Sequence, residues 1–234
     1  MILIISNIAN EAATALVDRF PVGAASLITA SEFHASFRAG IAVSDFSSSG
    51  ITIRGAGNST KDVSGVVTTI PCFLPQEFYY IEPADRNYVC SEMNAFFIYF
   101  LSELTCPKLN PPSTRTLSGM SLQKIEWMKT AHTLDIPVWP FHLKNSQPTD
   151  LDKPAGLHYL KATIIGDTII GDHTPDSIAT TMIRLSKAFS LPYLSGHFFS
   201  PDGTDYFLSE LISVPDINPQ ETQQAIVNYF LKPA

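Results

Sequence analysis

Hydrophobic residues along the chain fall into short runs and a few longer periodic stretches, and their order predicts alternating strands and helices. Near the start, "ILII" is an apolar run of strand length, followed by a helical stretch from about Ala9 to Phe20 that stops at Pro21, and by a second strand at "ASLIT". Strand, helix, strand in that order predicts a parallel βαβ start. Residues 41 to 70 give short β segments, "IAVSDF", "ITIRG" and "GVVTTIP", separated by Ser and Gly clusters that read as turns. From Asp85 to Leu104 the pattern changes. Val89, Met93, Phe96, Phe97, Phe100, Leu101 and Leu104 lie at helical spacing and form one wide apolar face, broad enough to be buried on two sides.

"PKLNPP" then reads as a short strand and a break, and a helix is predicted from about Ser118 to Leu134, giving way to the short strand "DIPVWPF". Residues 142 to 156, "HLKNSQPTDLDKPAG", are polar and Pro-containing and read as a linker or loop at a domain boundary. "LHYLKATIIGDTIIG" predicts a β-hairpin turning at Gly166-Asp167. The next helix is expected to start with Thr174 as N-cap and Pro175 at its first position, to bury Ile178, Met182, Leu185 and Phe189, and to end at Pro192. "GHFFSPDGTDYFLSELISVPDI", residues 196 to 217, reads as two strands joined by a Pro-Asp-Gly turn. A final helix follows, with Asn218 as its cap, Pro219 in its first turn, Glu221 completing a capping box, and Thr222, Ala225, Ile226, Tyr229 and Phe230 as its buried stripe.

Composition narrows the function classes. The 234 residues are 45% hydrophobic and 16% charged, with 15 Phe and 8 Tyr, so a large core or an apolar surface shared with a partner is expected. The Phe-rich helix serves either use, as core or as the contact of an oligomer. A formal net charge of −7 without any basic stripe argues against nucleic acid as a ligand. No apolar run approaches the ~20 residues that span a bilayer, and the N-terminus lacks the basic region and cleavage site of a signal peptide, so a cytoplasmic protein without membrane contact is expected. Cys72, Cys90 and Cys106 form no C-x-x-C pair and read as buried free thiols. Asp167, Asp172, His173 and Asp176 cluster near a turn and a helix start. Turn and cap chemistry explains the aspartates, and a metal site drawn from them with His173 and His197 matches no known ligand spacing. His34, His132, His142 and His158 are scattered, outside any recognisable Ser/His/Asp or Cys/His arrangement.

Three stretches, in this order, resemble the ATP-grasp superfamily, nearest to the carboxylate–amine ligases that modify ribosomal peptides and proteins. "KLNPPSTRTLSGMSLQKIEWMKTAHTLDIPVWPF" is similar to the family's asparagine, lysine-containing helix and "GIPVP" strand. "HYLKATIIGDTIIG" resembles the strand pair D-x-R-V-x-V-x-G, with Lys161 at the basic, cofactor-binding position. "PDGTDYFLSELISVP" resembles P-D-G-x-Y-x-F-L-E-V-N-x-x-P, which puts Glu210 at the metal-binding carboxylate. The resemblance implies an α/β fold: a pre-ATP-grasp-like α/β domain at 1–107, a connecting strand-helix-strand at 108–141, a linker at 142–156 and a truncated ATP-grasp-like α+β domain at 157–234.

The departures from the family's pattern carry as much weight. Only residues 142 to 157 separate the "GIPVP"-like strand from the "D-x-R-V"-like strand, too short a stretch for the β-rich lobe that clamps ATP in the family. The family's asparagine two residues beyond the metal-binding glutamate is Ile212 here, and its aspartate on the preceding strand aligns with Gly196 or His197. Acyl-phosphate chemistry depends on neutralising and positioning phosphate charge, with magnesium held by hard oxygen ligands. Glu210 is then either a remaining metal ligand or a strand carboxylate facing solvent or pairing with Lys161, and Lys161 either meets an anion or is solvated. The expected function is a degenerate ATP-grasp homologue: a non-catalytic binding or scaffold subunit in peptide modification or natural-product biosynthesis, with no cofactor for the isolated chain. Its expected partner is a protein or peptide, as a catalytic ATP-grasp subunit or a second copy in a homodimer. The alternative is an ATP- and magnesium-dependent carboxylate–amine ligase whose missing lobe a partner subunit supplies. A third reading places a different reaction in the vacated cleft, using His197, Glu210 and Lys161.

Overall fold

The computed structural model describes residues 1–6, 10–29, 62–144, 147–150 and 156–232, with the backbone alone over 142–150. The segments "IAVSDF" and "ITIRG" and the side chains of His34 and His142 lie outside the described residues. The chain divides into two compact units, Met1–Gly119 together with Asp216–Ala234, and Met120–Pro215.

The first unit is built on a three-stranded parallel sheet in the order β2-β1-β3, with β1 at Ile2–Ser6, β2 at Ala25–Thr29 and β3 at Gly65–Thr68. β1 is central and wholly buried, which is why it reads as an unbroken apolar run and not as an alternation. Helix α1 (Glu11–Arg19) begins where the Asn10 side chain accepts a hydrogen bond from the Ala13 N–H at 3.1 Å, and it ends ahead of Pro21. Helix α2 (Arg86–Glu103) buries Cys90, Phe97, Phe100 and Leu101 in one core with Leu3, Ile5, Val66, Phe73 and Phe78. Asn94 ties this helix to the backbone of Phe73: its Oδ1 accepts from the Phe73 N–H at 2.9 Å and its Nδ2 donates to the Phe73 carbonyl at 3.1 Å.

The boundary expected near residue 107 falls later, because the chain continues pairing with β3. The Val66 N–H donates to the Pro107 carbonyl at 3.0 Å, and the Leu109 N–H donates to the Val66 carbonyl at 2.8 Å. The last helix, α5 (Gln220–Leu231), returns to this unit and does not extend the second. Its buried Gln223 accepts from Arg19 Nε at 2.6 Å and donates to the Ile217 carbonyl at 2.8 Å, a contact between chain ends that no local pattern encodes.

The second unit holds a four-stranded antiparallel sheet in the order β7-β6-β8-β9: β6 His158–Ile165, β7 Thr168–Ile170, β8 Tyr193–Ser200 and β9 Phe207–Ile212. Helices α3 (Lys124–Thr133) and α4 (Asp176–Phe189) contribute to a core with this sheet, where Trp127, Met128, Ala131, Ile178, Met182 and Leu185 meet Ala162, Ile164, Leu194, Phe198, Leu208 and Leu211. The Gly166 turn between β6 and β7 has φ +58°, as expected of a tight hairpin.

Several local expectations are corrected. α3 starts at Lys124 and not Ser118, because Gly119 takes φ +76° and interrupts the run. Thr174 does not cap α4: its hydroxyl donates to the Gly171 carbonyl at 3.0 Å, and Pro175 holds the cap position in extended conformation. Likewise Pro219, not Asn218, precedes α5, since the Asn218 side chain is engaged with Asp216. The stretch expected as linker contains a two-stranded antiparallel hairpin, β4 (Phe141–Lys144) with β5 (Gln147–Asp150). Its Pro148 pairs opposite Leu143, which a two-stranded sheet tolerates because both strands are edges. No helix among the described residues is long and apolar enough to cross a membrane.

Candidate functional site

The two faces of the second unit's sheet differ in kind. Leu160, Ala162 and Ile164 of β6, Leu194 and Phe198 of β8, and Leu208 and Leu211 of β9 belong to the core with the helices. Period-two alternation sends the intervening residues to the opposite face. There the strand register lines them up in three cross-strand rows. The first is aromatic, Tyr159–Phe199–Phe207. The second is polar, Lys161–His197–Glu210. The third is Thr163–Ser195–Ile212.

A β-bulge makes the polar row possible. His197 pairs with Glu210 while Phe198 pairs with Leu208, so Ser209 is the extra residue on β9. Without it, Leu208 and Glu210 would share a face. With it, Leu208 and Leu211 both enter the core and Glu210 faces outward with a side chain 58% exposed.

The structure brings together the residues singled out in the sequence and decides between two of them. Gly196 faces the helices, since a Cβ built on it would lie 2.8 Å from Met182 Sδ. His197 is therefore the residue beside Glu210, with its Nδ1 3.1 Å from Glu210 Oε2, and Lys161 is its register partner on the other side. Ile212 sits one row away, opposite Ser195. In that third row Thr163 Oγ1 and Ser195 Oγ are hydrogen-bonded at 3.0 Å. Asp167, Asp172, His173 and Asp176 stay at an exposed turn and helix start, and no three His, Cys, Asp or Glu side chains among the described residues gather to hold a metal ion. His132 and His158 are exposed.

Residues that sequence reasoning missed form the floor beside the polar row. Val138 pairs in parallel with Leu208, and the Trp139 N–H donates to the Leu208 carbonyl at 2.8 Å, which adds the "PVW" segment to the edge of β9. The Trp139 ring packs 5.7 Å from Phe199 and 6.1 Å from Phe207, and Tyr159 lies 5.5 Å from Phe199 and 5.7 Å from His197. The signal was the alternation in "HYLKATII" and "GHFFS", which separates aromatic from core positions once the pairing register is known.

The Pro-Asp-Gly turn closes this end of the sheet. Asp202 Oδ1 accepts from Ser200 Oγ and the Thr204 N–H at 2.9 Å and from the Asp205 N–H at 3.1 Å. The backbone N–H of Thr204, then that of Asp205, hold its carboxyl well below the usual carboxylate range.

The chain is similar to ATP-grasp ligase PsnB complexed with a minimal precursor, Mg and ADP, with a TM-score of 0.72 over 99% of this chain and 98% of that one. The fold is ATP-grasp-like. Macrocyclase MdnC from Microcystis aeruginosa, bound with precursor peptide MdnA, matches with a TM-score of 0.68 over 98% of this chain and 99% of that one. A RimK domain protein ATP-grasp from Sphaerobacter thermophilus matches at 0.58 over 99% of both. Sequence identities are 10%, 12% and 9% in turn, so the likeness is one of fold. No protein-family model matches the sequence, and no curated protein matches it.

An ATP-grasp-like fold implies ATP and magnesium, and the polar row tests that implication. Magnesium takes hard oxygen ligands in near-octahedral geometry. The row supplies one carboxylate, an imidazole already against that carboxylate, and an ammonium group, and the neighbouring row places Ile212 where a second oxygen ligand would be needed. This donor set does not fit magnesium. It is suited instead to hydrogen bonding and charge pairing at an aromatic surface.

Proposed function

We propose that this chain is a non-catalytic, peptide-binding ATP-grasp-like subunit of a peptide-modification system. The observation that carries the reading is the Lys161–His197–Glu210 row flanked by Ile212, which retains the sheet of an ATP-dependent ligase and a single carboxylate. Phosphoryl transfer relies almost wholly on positioned phosphates and on metal and cationic charge, so a row that lacks the oxygen ligands argues against the chain activating a carboxylate alone. Support for a peptide as the bound species comes from the similar structures. MdnC is bound with a precursor peptide, and PsnB is complexed with a minimal precursor. A catalytic ATP-grasp ligase or a second copy of this chain is the partner that the reading implies.

Titration calorimetry with ATP, with and without magnesium, tests the reading. The expected result is no magnesium-dependent ATP binding by the isolated chain. Stoichiometric magnesium-dependent binding overturns it. Binding that emerges only when a partner chain is added replaces it with a ligase whose nucleotide lobe the partner supplies.

A further inference from the structure

We infer that a cavity in the second unit binds the amino-terminal residue of a peptide, taking its aliphatic or aromatic side chain inside and pairing its α-ammonium with Asp205 at the mouth. The inference deepens the peptide-binding reading above by naming the part of the peptide that is held. The cavity, about 190 Å³, lies where the start of α4 meets the Pro-Asp-Gly turn and the Ile136-Pro137 segment. Its base is apolar and already buried: Ile136 is 5%, Ile178 4% and Phe198 1% exposed. Its rim is polar, with Ser177 and Asp205 exposed and Tyr206 half-buried. A cavity of about 150 Å³ holds benzene, whereas drug-sized ligands occupy about 300–1,000 Å³. This one therefore suits a single benzyl or isobutyl side chain.

The order of apolar and charged groups selects the ligand. A lysine or arginine side chain carries its charge at the far tip and would press it against Ile136, Ile178 and Phe198, where an unpaired charge is costly. The amino-terminal residue of a peptide has the reverse order, with the charge beside the backbone and the apolar group beyond it. Its ammonium stays at the mouth beside Asp205 while the side chain reaches the base. Ser177 and Tyr206 bring hydroxyls for the peptide group that follows. None of the described residues lining the cavity is basic, and the positive end of α4 is offset by Asp176 in its first turn. The walls are also set before a ligand arrives, which lowers the cost of ordering on binding. Asp202 Oδ1 holds the Thr204 and Asp205 N–H groups at 2.9 and 3.1 Å and so fixes the backbone that carries Asp205. The Leu208 N–H donates to the Pro137 carbonyl at 2.9 Å and fixes the wall there.

The test follows backbone amide shifts of the isotope-labelled full chain as Leu-Gly-Gly-Gly amide, a peptide without a carboxylate, is added. Saturable shifts are expected at Ile178 and Asp205. Acetylating the peptide's amine should weaken binding about fivefold, the scale of one exposed ion pair. Replacing its leucine with glycine should weaken binding at least tenfold. Isopentylamine, which keeps the ammonium and the side chain but lacks the peptide group, should bind about threefold more weakly than the peptide. Asp205→Asn should abolish the effect of acetylation, whereas Asp167→Asn, at the opposite end of the sheet, removes the same charge and should preserve it. Ser177→Leu fills the mouth from an exposed helix position that tolerates leucine, and should weaken binding of the leucine peptide at least tenfold. Equal binding of free and acetylated peptides, equal binding of leucine and glycine peptides, isopentylamine matching the peptide, or Asp167→Asn acting as strongly as Asp205→Asn would each overturn the assignment. Such a failure without magnesium-dependent ATP binding removes this site and leaves the reading above. Magnesium-dependent ATP binding with these preferences intact removes that reading and keeps the site.

Discussion

Gly196 offers the sharpest check on how the sheet presents its polar row. Its backbone lies outside the left-handed region, so an alanine there meets no conformational barrier and the consequence is steric alone. A Cβ would stand 2.8 Å from Met182 Sδ, 2.8 Å from Phe198 Cε2 and 3.2 Å from Phe198 Cζ, inside a core where Met182 is 0% and Phe198 1% exposed. Neither side chain can swing to solvent, so the expected cost is that of overpacking, about 1–3 kcal/mol. A compensating gain of about 0.4–1 kcal/mol comes from the restricted unfolded chain. Gly196→Ala should therefore destabilise the second unit by about 1–2 kcal/mol. Both tryptophans, Trp127 and Trp139, lie in that unit, so urea unfolding followed by their fluorescence reports on it directly. With slopes of about 1–3 kcal/mol per molar urea, the midpoint should fall by roughly 0.5–1 M. The cause can be isolated with Met182→Ala. If the clash with Sδ is the origin, the double variant should be more stable than the sum of the two single losses by about 1 kcal/mol, well beyond the ~0.3–0.5 kcal/mol within which independent sites add. A neutral Gly196→Ala, or additive losses, refutes the proposed close approach of α4 to β8, and with it the assignment of His197 to the outer face.

Three further outcomes are expected. In the first unit, a Cβ on Gly65 would lie 2.6 Å from the Phe230 ring and 2.8 Å from Ile2 Cδ1, so Gly65→Ala should loosen α5 and speed hydrogen exchange of its amides at least tenfold, whereas unchanged exchange would mean the ring simply rotates aside. Ser118 is fully buried and its hydroxyl finds no partner among the described residues, so Ser118→Ala should raise stability by about 1 kcal/mol in urea unfolding, and a loss would reveal an unrecognised hydrogen bond. Asp202 has its carboxyl pKa lowered in the folded state, so the unfolded chain binds its proton more readily. The stability this group contributes is present above the ordinary carboxylate range and is lost only as pH falls from there toward the lower folded value; Asp202→Ala should flatten that acid limb of the stability profile and leave the neutral slope unchanged.

How much of this was legible in the sequence depended on how local the cause was. The hairpin at Gly166-Asp167, the end of α1 ahead of Pro21 and the burial of Phe97, Phe100 and Leu101 on α2 all follow from neighbours within a few residues, and the structure places them where the pattern does. Lys161 and Glu210 were legible as site candidates through their motifs, but their relation was not. That required the register between β6, β8 and β9, and above all the bulge at Ser209, which a two-residue period does not anticipate. The choice between Gly196 and His197 turned on the same bulge and on Met182. Trp139 was read only as part of a short strand, because its role depends on pairing beside Leu208, far along the chain. The return of α5 to the first unit was likewise hidden, since it rests on Gly65 accommodating Phe230 and on Gln223 meeting Arg19.

The two faces of the second sheet answer to different constraints, and this explains how an ATP-grasp-like fold can persist at about a tenth of sequence identity. On the helix face each position is held by volume: Gly196 admits Met182, Ala162 lies fully buried among Ile164, Met182 and Leu185, and Leu208 and Leu211 keep their places through the bulge. An exchange there displaces a helix and is felt as lost stability. On the outer face Thr163 and Ser195 are buried, whereas toward Glu210 the same backbone register sets where a side chain stands and not what it must be. An imidazole at 197 and an isoleucine at 212 disturb none of the packing beneath them, because their Cβ atoms point away from it. Superposition of backbones therefore reports the helix face and is silent about the outer one.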